Sequence, residues 1–109
     1  MDNKDRTILE KILKEIDFLQ ADIKGIDHET FMGSERIRRC VAMTLINIGE
    51  LIHVLSKQTK DSAPDIPFRE IKATRNIVAH HYGTLNFNVI WNTITESVPD
   101  LKAKIAALL

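Results

Sequence analysis

Cysteine, glycine and proline are scarce in this chain of 109 residues. The single cysteine, Cys40, cannot form an internal disulfide, which is typical of proteins from a reducing compartment. We expect it to be buried as a small hydrophobic residue. Four glycines and three prolines are too few to separate many short strands, so the composition favours helices.

Membrane and secretion signals are also missing. Residues 1–11 lack the apolar run of a secretory signal. The most apolar stretch, residues 40–55, contains 16 residues and is interrupted by Asn47, Glu50 and His53, whereas a membrane-spanning helix needs about 20 apolar residues. We therefore expect a cytoplasmic protein that does not have a membrane as a partner.

An excess of charge of one sign is lacking too, because 15 basic residues balance 15 acidic ones. The chain therefore has no bulk electrostatic attraction for a nucleic acid, and any RNA site must be local. The cluster of Arg36, Arg38 and Arg39 is usual for a solvated helix start. It could alternatively guide RNA towards a site.

What the chain does contain is apolar residues at helical spacing. They predict an amphipathic helix over residues 7–25 that stops at Gly25, and a more apolar one over 37–55. Between them we expect a loop or a short helical turn over residues 26–33, with Asp27 and Ser34 as capping candidates. The polar run 57–67 predicts a loop, and Pro67 is well placed to open the next helix. The remaining predicted helices span residues 67–82, 86–98 and 99–109, and the helix over 86–98 is predicted to turn Val89, Ile90, Ile94 and Val98 inward.

These segments predict the fold class. At this length one hydrophobic core closes, so we expect a single domain over residues 1–109. The helices are predicted to pack as an all-α, antiparallel bundle of four to five helices.

Residues able to do chemistry concentrate in the stretch RNIVAHHYG, residues 75–83. Cleaving RNA without a metal needs a proton acceptor, a proton donor and positive charge on the phosphate. His80 suits either proton transfer and Arg75 suits the phosphate, while Asn76 and Tyr82 could add hydrogen bonds. On an ideal helix Arg75 and His80 point about 140° apart, so convergence requires a loosened helix end or a partner chain.

Glu50 and Gly49 lie in the middle of the most apolar predicted helix. A carboxylate there is costly unless it finds a cation, and Arg75 or His80 is the natural partner. Alternatively, Glu50 lies at the rim of the apolar stripe and reaches water. Gly49 inside a helix suggests that another helix or chain approaches closely.

Other candidate sites are weaker. Glu50 and His53 match half of a di-metal motif of helical bundles, but no second pair is spaced for it, so we expect no metal site. His28, in a predicted loop, and His81, on another face from His80, are expected to be surface residues. No cofactor is implied.

The stretch RNIVAHHY resembles the R-x4-H-x-Y motif of HepT-like proteins, a branch of the HEPN superfamily. The resemblance continues through INIGE, PDIPFREI, LNFNVIW and VPDLK, so it covers nearly the whole chain. It implies a HEPN-like helical fold and a homodimeric, metal-independent ribonuclease that is the toxin of a type II-like toxin–antitoxin pair. Arg75 and His80 would be its catalytic pair, with Tyr82 as a supporting polar residue.

The resemblance also implies a partner, a minimal nucleotidyltransferase antitoxin that silences the toxin by adenylylating the motif tyrosine, here Tyr82. Phe68 stands where many relatives have tryptophan, and His81 where an acid is common. Two other interpretations stay open at this point. The chain could be a non-catalytic substrate-binding or docking subunit for a nucleotidyltransferase, or a helical dimer whose Arg75 and His80 only tie helices together.

Overall fold

A computed structural model describes residues 1–109 and is helical throughout, without strands. The two longest helices are α1 (Asn3–Ile23) and α3 (Glu35–His53), with the short α2 (His28–Gly33) between them. A second short helix, α4 (Lys57–Asp61), precedes α5 (Phe68–His80). A 3₁₀ turn (Tyr82–Thr84) leads into α6 (Phe87–Asn92), a π-helical segment (Thr93–Ser97) and α7 (Val98–Leu108).

Helix α3 lies at the centre of the bundle and packs against both α1 and α5. Its neighbours run antiparallel to it. Asp5 at the start of α1 bonds Ser56 just beyond the end of α3. Arg75 in α5 packs on Gly49 near the end of α3, whereas Tyr82, which follows α5, meets Arg39 near the start of α3. The core consists of the apolar stripes predicted from the sequence. Its fully buried large side chains are Phe31, Leu9, Ile12, Ile16, Leu19, Ile48, Ile52, Ile94, Ile105, Val41 and Val78.

The predicted stop signal and the two predicted caps in the first half are confirmed, whereas α1 begins four residues earlier than predicted, at Asn3, and α3 ends two residues earlier, at His53. Gly25 has a φ of 75°, a conformation that favours glycine, directly after α1. The side chain of Asp27 accepts a hydrogen bond from the Thr30 N–H and begins α2, and Ser34 accepts one from the Ile37 N–H and begins α3.

The prediction that residues 86–98 and 99–109 form two separate helices was wrong. Residues 87–108 are continuous, because the junction residues keep right-handed helical angles and the Val98 N–H donates to the Thr93 carbonyl five residues back. Pro99 has no N–H to bond the carbonyl four residues before it and would clash with that carbonyl in a regular α-helix. Widening the preceding turn to a π-helix accommodates the proline without ending the helix.

Some smaller expectations were also wrong. The predicted loop 57–67 contains α4, which the Ser56 hydroxyl caps at its start. Cys40 is exposed, because it shares the outward face of α3 with Met43 and Asn47. Val89 is exposed as well, whereas the neighbouring Ile90 is buried.

Pro67 lies at the cap position before α5 rather than inside its first turn. None of the helices is both long enough and apolar enough to cross a membrane.

Candidate active site

The site is built around the point where α5 crosses α3. Gly49 is buried at this crossing, and a Cβ atom added to it would overlap Cβ and Cγ of Arg75. The absence of a side chain at position 49 therefore allows the stem of Arg75 to lie directly on the backbone of α3. This confirms the close helix approach that Gly49 predicted.

Arg75 is held by two side chains. Its Nη2 donates to Oε1 of Glu50 on α3, and its Nη1 donates to Oδ1 of the adjacent Asn76 at 2.5 Å. Its side chain is 23% exposed and that of Glu50 51% exposed. Both expectations for Glu50 are therefore met, since it lies at a wet rim and also pairs with Arg75. The Nε of Arg75 is buried and has no hydrogen-bond partner.

His80 is the last residue of α5 and is exposed. Because the helix stays regular up to His80, Arg75 and His80 point about 140° apart, and the loosening that could bring them together begins only at His81. Asn76 lies one turn before His80 on the same face and is bonded to Arg75. The structure thus brings Arg75, Glu50 and Asn76 into contact and leaves His80 on the adjacent face, one turn along.

Tyr82 begins the 3₁₀ turn and is half-buried. The edge of its ring meets Phe87, with centroids 5.6 Å apart and planes at 73°. The guanidinium carbon of Arg39, on α3, lies 5.5 Å from the centre of the Tyr82 ring. The Tyr82 hydroxyl makes no hydrogen bond within the chain and is open to solvent or a ligand.

A shallow groove lies between α3 and α5 at the Tyr82 end of the site. Arg39 and Tyr82 lie at one end, Met43, Ile46 and Ala79 line its middle, and the Glu50–Arg75 pair follows along the same two helices. Met43 is 58% exposed, which is high for a methionine beside the core. The groove therefore has an apolar floor with Arg39 at one end, and Arg75 lies beyond its other end.

Arg39 and Arg75 are each paired with a glutamate but differ in burial and in their other neighbours. The Glu35 carboxylate, which accepts hydrogen bonds from Arg39, raises the pKa of the Arg39 guanidinium, and the neighbouring Tyr82 contributes to this shift. Arg39 is thus a permanent cation above the ring of Tyr82. Arg75 is the more buried of the two, and Glu50 partly offsets its charge.

The contact between Arg39 and Tyr82 was missed in the sequence, although a signal for it existed. Arg39 precedes Glu50 by eleven residues and Tyr82 follows Arg75 by seven, so each pair shares a helical stripe. In an antiparallel pair that joins Glu50 to Arg75, Arg39 must therefore come near Tyr82.

The expected surface histidines are exposed. His28 begins α2 instead of lying in a loop, and its Nε2 is 2.6 Å from Oδ1 of Asn88. No group of three or more His, Cys, Asp or Glu side chains is placed to hold a metal ion.

Comparison with known proteins gives a family match over most of the chain. The family described as "Ribonuclease HepT-like" matches residues 10–108. A protein of Caldanaerobacter subterraneus subsp. tengcongensis, named as a candidate RNase, is 33% identical over 104 residues, which cover 95% of this chain and 93% of that protein. The "Probable ribonuclease HepT" of Thermococcus cleftensis is 29% identical over 108 residues, covering 99% and 98%. No solved structure matches the chain.

Proposed function

Because this chain belongs to the ribonuclease HepT-like family, we propose that it is a metal-independent endoribonuclease that acts as the toxin of a toxin–antitoxin pair. The observation that carries the proposal is that Arg75 is held in place while most of its hydrogen-bond donors stay unused. Glu50 and Asn76 hold this arginine at a wet rim, and they use only two of the five N–H donors of its guanidinium. An anchored arginine with spare donors suits a phosphate ligand.

In the proposed reaction His80 transfers a proton and Arg75 neutralises negative charge on the phosphate. The ribose 2′ oxygen loses its proton and attacks the phosphorus, while the bond from phosphorus to the 5′ oxygen breaks and that oxygen takes up a proton. Imidazole is suited to either transfer near neutral pH. Arg75 binds the non-bridging oxygens, on which negative charge grows in the transition state.

A homodimer supplies what one chain lacks. One copy has a single motif histidine, whereas the reaction needs both a proton acceptor and a proton donor. The apolar, exposed floor of the groove between α3 and α5, including Met43, suits contact with a second copy. We propose that two copies pair across this face, so that each contributes one His80 and one Arg75 to a shared cleft.

Asn76, Tyr82 and Glu50 have supporting roles in this proposal. Glu50 orients Arg75, and Asn76 lies between Arg75 and His80, where its amide nitrogen can donate to the phosphate. The free Tyr82 hydroxyl is available to the RNA and equally to a nucleotidyltransferase antitoxin. Adenylylation of Tyr82 would place a bulky anionic group in the groove, where it competes with the RNA phosphate.

Replacing His80 with alanine tests the nuclease. We expect His80→Ala to lower the cleavage rate in excess chelator by about 10²- to 10⁴-fold, the usual contribution of a general acid or base. The matched control is His81→Ala, which removes the adjacent exposed histidine and should leave most of the activity. Cleavage that persists in His80→Ala while its helical content is unchanged would contradict the assignment.

Intact mass tests the regulation. The chain contains a single tyrosine, so co-expression with a minimal nucleotidyltransferase of the proposed antitoxin type should add AMP to Tyr82 in the wild type and nothing in Tyr82→Phe. The modified protein should no longer cut RNA. If no mass is added and neither form cuts, the chain is instead a docking subunit for the nucleotidyltransferase.

A further inference from the structure

The three arginines at the start of α3 have three different surroundings. Arg38 donates to the carbonyl oxygens of Phe31 and Met32 at the end of α2, and its guanidinium lies 5.3 Å from the ring centre of Phe87. Arg36 is exposed and pairs with no acid or ring. Arg39 alone reaches a residue of the R-x4-H-x-Y motif, Tyr82.

Arg39 is itself held in place. Its Nε and Nη2 donate to Oε1 of Glu35, one turn earlier on α3, at 3.2 and 3.0 Å. A guanidinium fixed at two of its nitrogens has less freedom to turn away from the ring beneath it. Its distance of 5.5 Å from the Tyr82 ring centre lies within the range of a cation–π contact.

Tyr82 needs such support more than a residue inside a helix does. It follows the end of α5, lies in a single 3₁₀ turn and makes no hydrogen bond through its hydroxyl. Its ring is therefore oriented by its neighbours, chiefly the edge contact with Phe87 and the cation of Arg39.

We propose that Arg39 is a positioning residue, which acts through Tyr82 by holding its ring between α3 and Phe87 so that the hydroxyl faces the RNA in the shared cleft. The inference rests on the proposed nuclease function and adds to it a residue outside the motif. Arg39 carries no proton in the reaction and acts on RNA only through the tyrosine.

The single tyrosine makes the position of the ring measurable. In full-length protein labelled with ¹³C only in tyrosine, the NMR spectrum contains the signals of one ring. We expect Arg39→Ala to move these signals towards those of a free tyrosine, and Arg39→Lys to move them less, because lysine keeps the charge but loses the planar stacking. Arg36→Ala, the matched control, should leave them unchanged.

RNA cleavage by the same variants tests the consequence. Arg39→Ala should lower kcat/KM about two- to five-fold, the scale of a cation–π contact at an exposed site, and Arg39→Lys should restore part of it. In a Tyr82→Phe background there is no hydroxyl left to position, so adding Arg39→Ala should change nothing further.

Three results overturn the inference. One is an unchanged ring signal in Arg39→Ala. The second is an equal loss of cleavage in the wild-type and Tyr82→Phe backgrounds, which would mean that Arg39 binds RNA directly. The third is an equal loss in Arg36→Ala, which would indicate a general charge effect. A wild type that cuts no RNA would instead refute the proposed function.

Discussion

Asp5 and Glu50 each tie two helices of this bundle together, but their surroundings are opposite. Asp5 is 2% exposed. Its Oδ2 accepts from the hydroxyls of Ser56 and Thr59 at 2.5 Å, and its Oδ1 accepts from the Ser56 N–H at 3.2 Å. Glu50 is 51% exposed, and its partner is the cation of Arg75.

The difference separates a structural contact from a functional one. Every partner of Asp5 is an uncharged donor of the same chain, and both carboxylate oxygens are satisfied, so little capacity remains for a ligand. Arg75 instead has unused donors at a wet rim and a buried Nε without a partner. The unused donors on its two Nη atoms are the ones that a substrate can reach from the rim.

Substitution of Arg75 should give the largest loss of RNA cleavage and so distinguish the proposed active site from the structural contact at Asp5. Without its charge on the transition state, Arg75→Ala should lose about 10²- to 10³-fold in RNA cleavage, the scale of one stabilising donor at an active site. Arg75→Lys should recover little, because lysine lacks the planar fork. Arg69→Ala, an exposed arginine on the same helix, is the matched control. An equal loss in both variants would mean that Arg75 contributes only charge.

Substitution of Gly49 should damage the functional region through its backbone. The new Cβ of Gly49→Ala overlaps the stem of Arg75, so α3 and α5 must separate at the cost of about 1–3 kcal/mol that is typical of overpacking. Gly33→Ala is the matched control, since its Cβ meets nothing within 4 Å. Urea unfolding measures both variants. Equal stability of the two would show that the helices are not in close contact at Gly49.

The structural role of Asp5 should appear in how the stability of the protein depends on pH. Hydrogen bonds from the Ser56 and Thr59 side chains hold the pKa of Asp5 below its ordinary value of 3.8. Its contribution to stability is therefore complete above about pH 4–5 and is lost as the pH falls through the lowered pKa. We expect Asp5→Asn to be clearly less stable than the wild type at pH 7, with the difference shrinking below about pH 4.

The control for this experiment is Asp22→Asn, because Asp22 is exposed on the same helix and bonds no cation. A difference between Asp5→Asn and the wild type that stays constant from pH 7 to pH 3 would contradict the interpretation. RNA cleavage per folded molecule should not change in Asp5→Asn, in contrast to the variants of Arg75.

Local sequence signals predicted one of these regions and missed the other. The cost of a carboxylate in an apolar helix predicted that Glu50 pairs with Arg75 or His80, and the structure shows that the partner is Arg75. Nothing local marked Asp5, because its partners lie more than fifty residues away in a segment that resembled a loop. The π segment escaped prediction as well. It follows from the proline at position 99, whereas the spacing of apolar residues alone predicted a break before it; of the residues predicted to face inward there, Ile90, Ile94 and Val98 are buried and only Val89 is exposed.

The smallest effect on stability should come from Glu50. Because its side chain is half-exposed, Glu50→Gln should change the free energy of unfolding by no more than about 0.2–1 kcal/mol, as for other surface ion pairs.

RNA cleavage should respond to substitution of Glu50 more than the free energy of unfolding does. Glutamine keeps an oxygen that can accept from Arg75 but leaves its charge unneutralised, so KM for RNA should fall and become more sensitive to salt. Glu50→Ala releases Arg75 and should lower kcat. If both variants instead unfold as readily as Asp5→Asn, Glu50 is a structural tie of the same kind as Asp5, and the contrast between the two carboxylates does not hold.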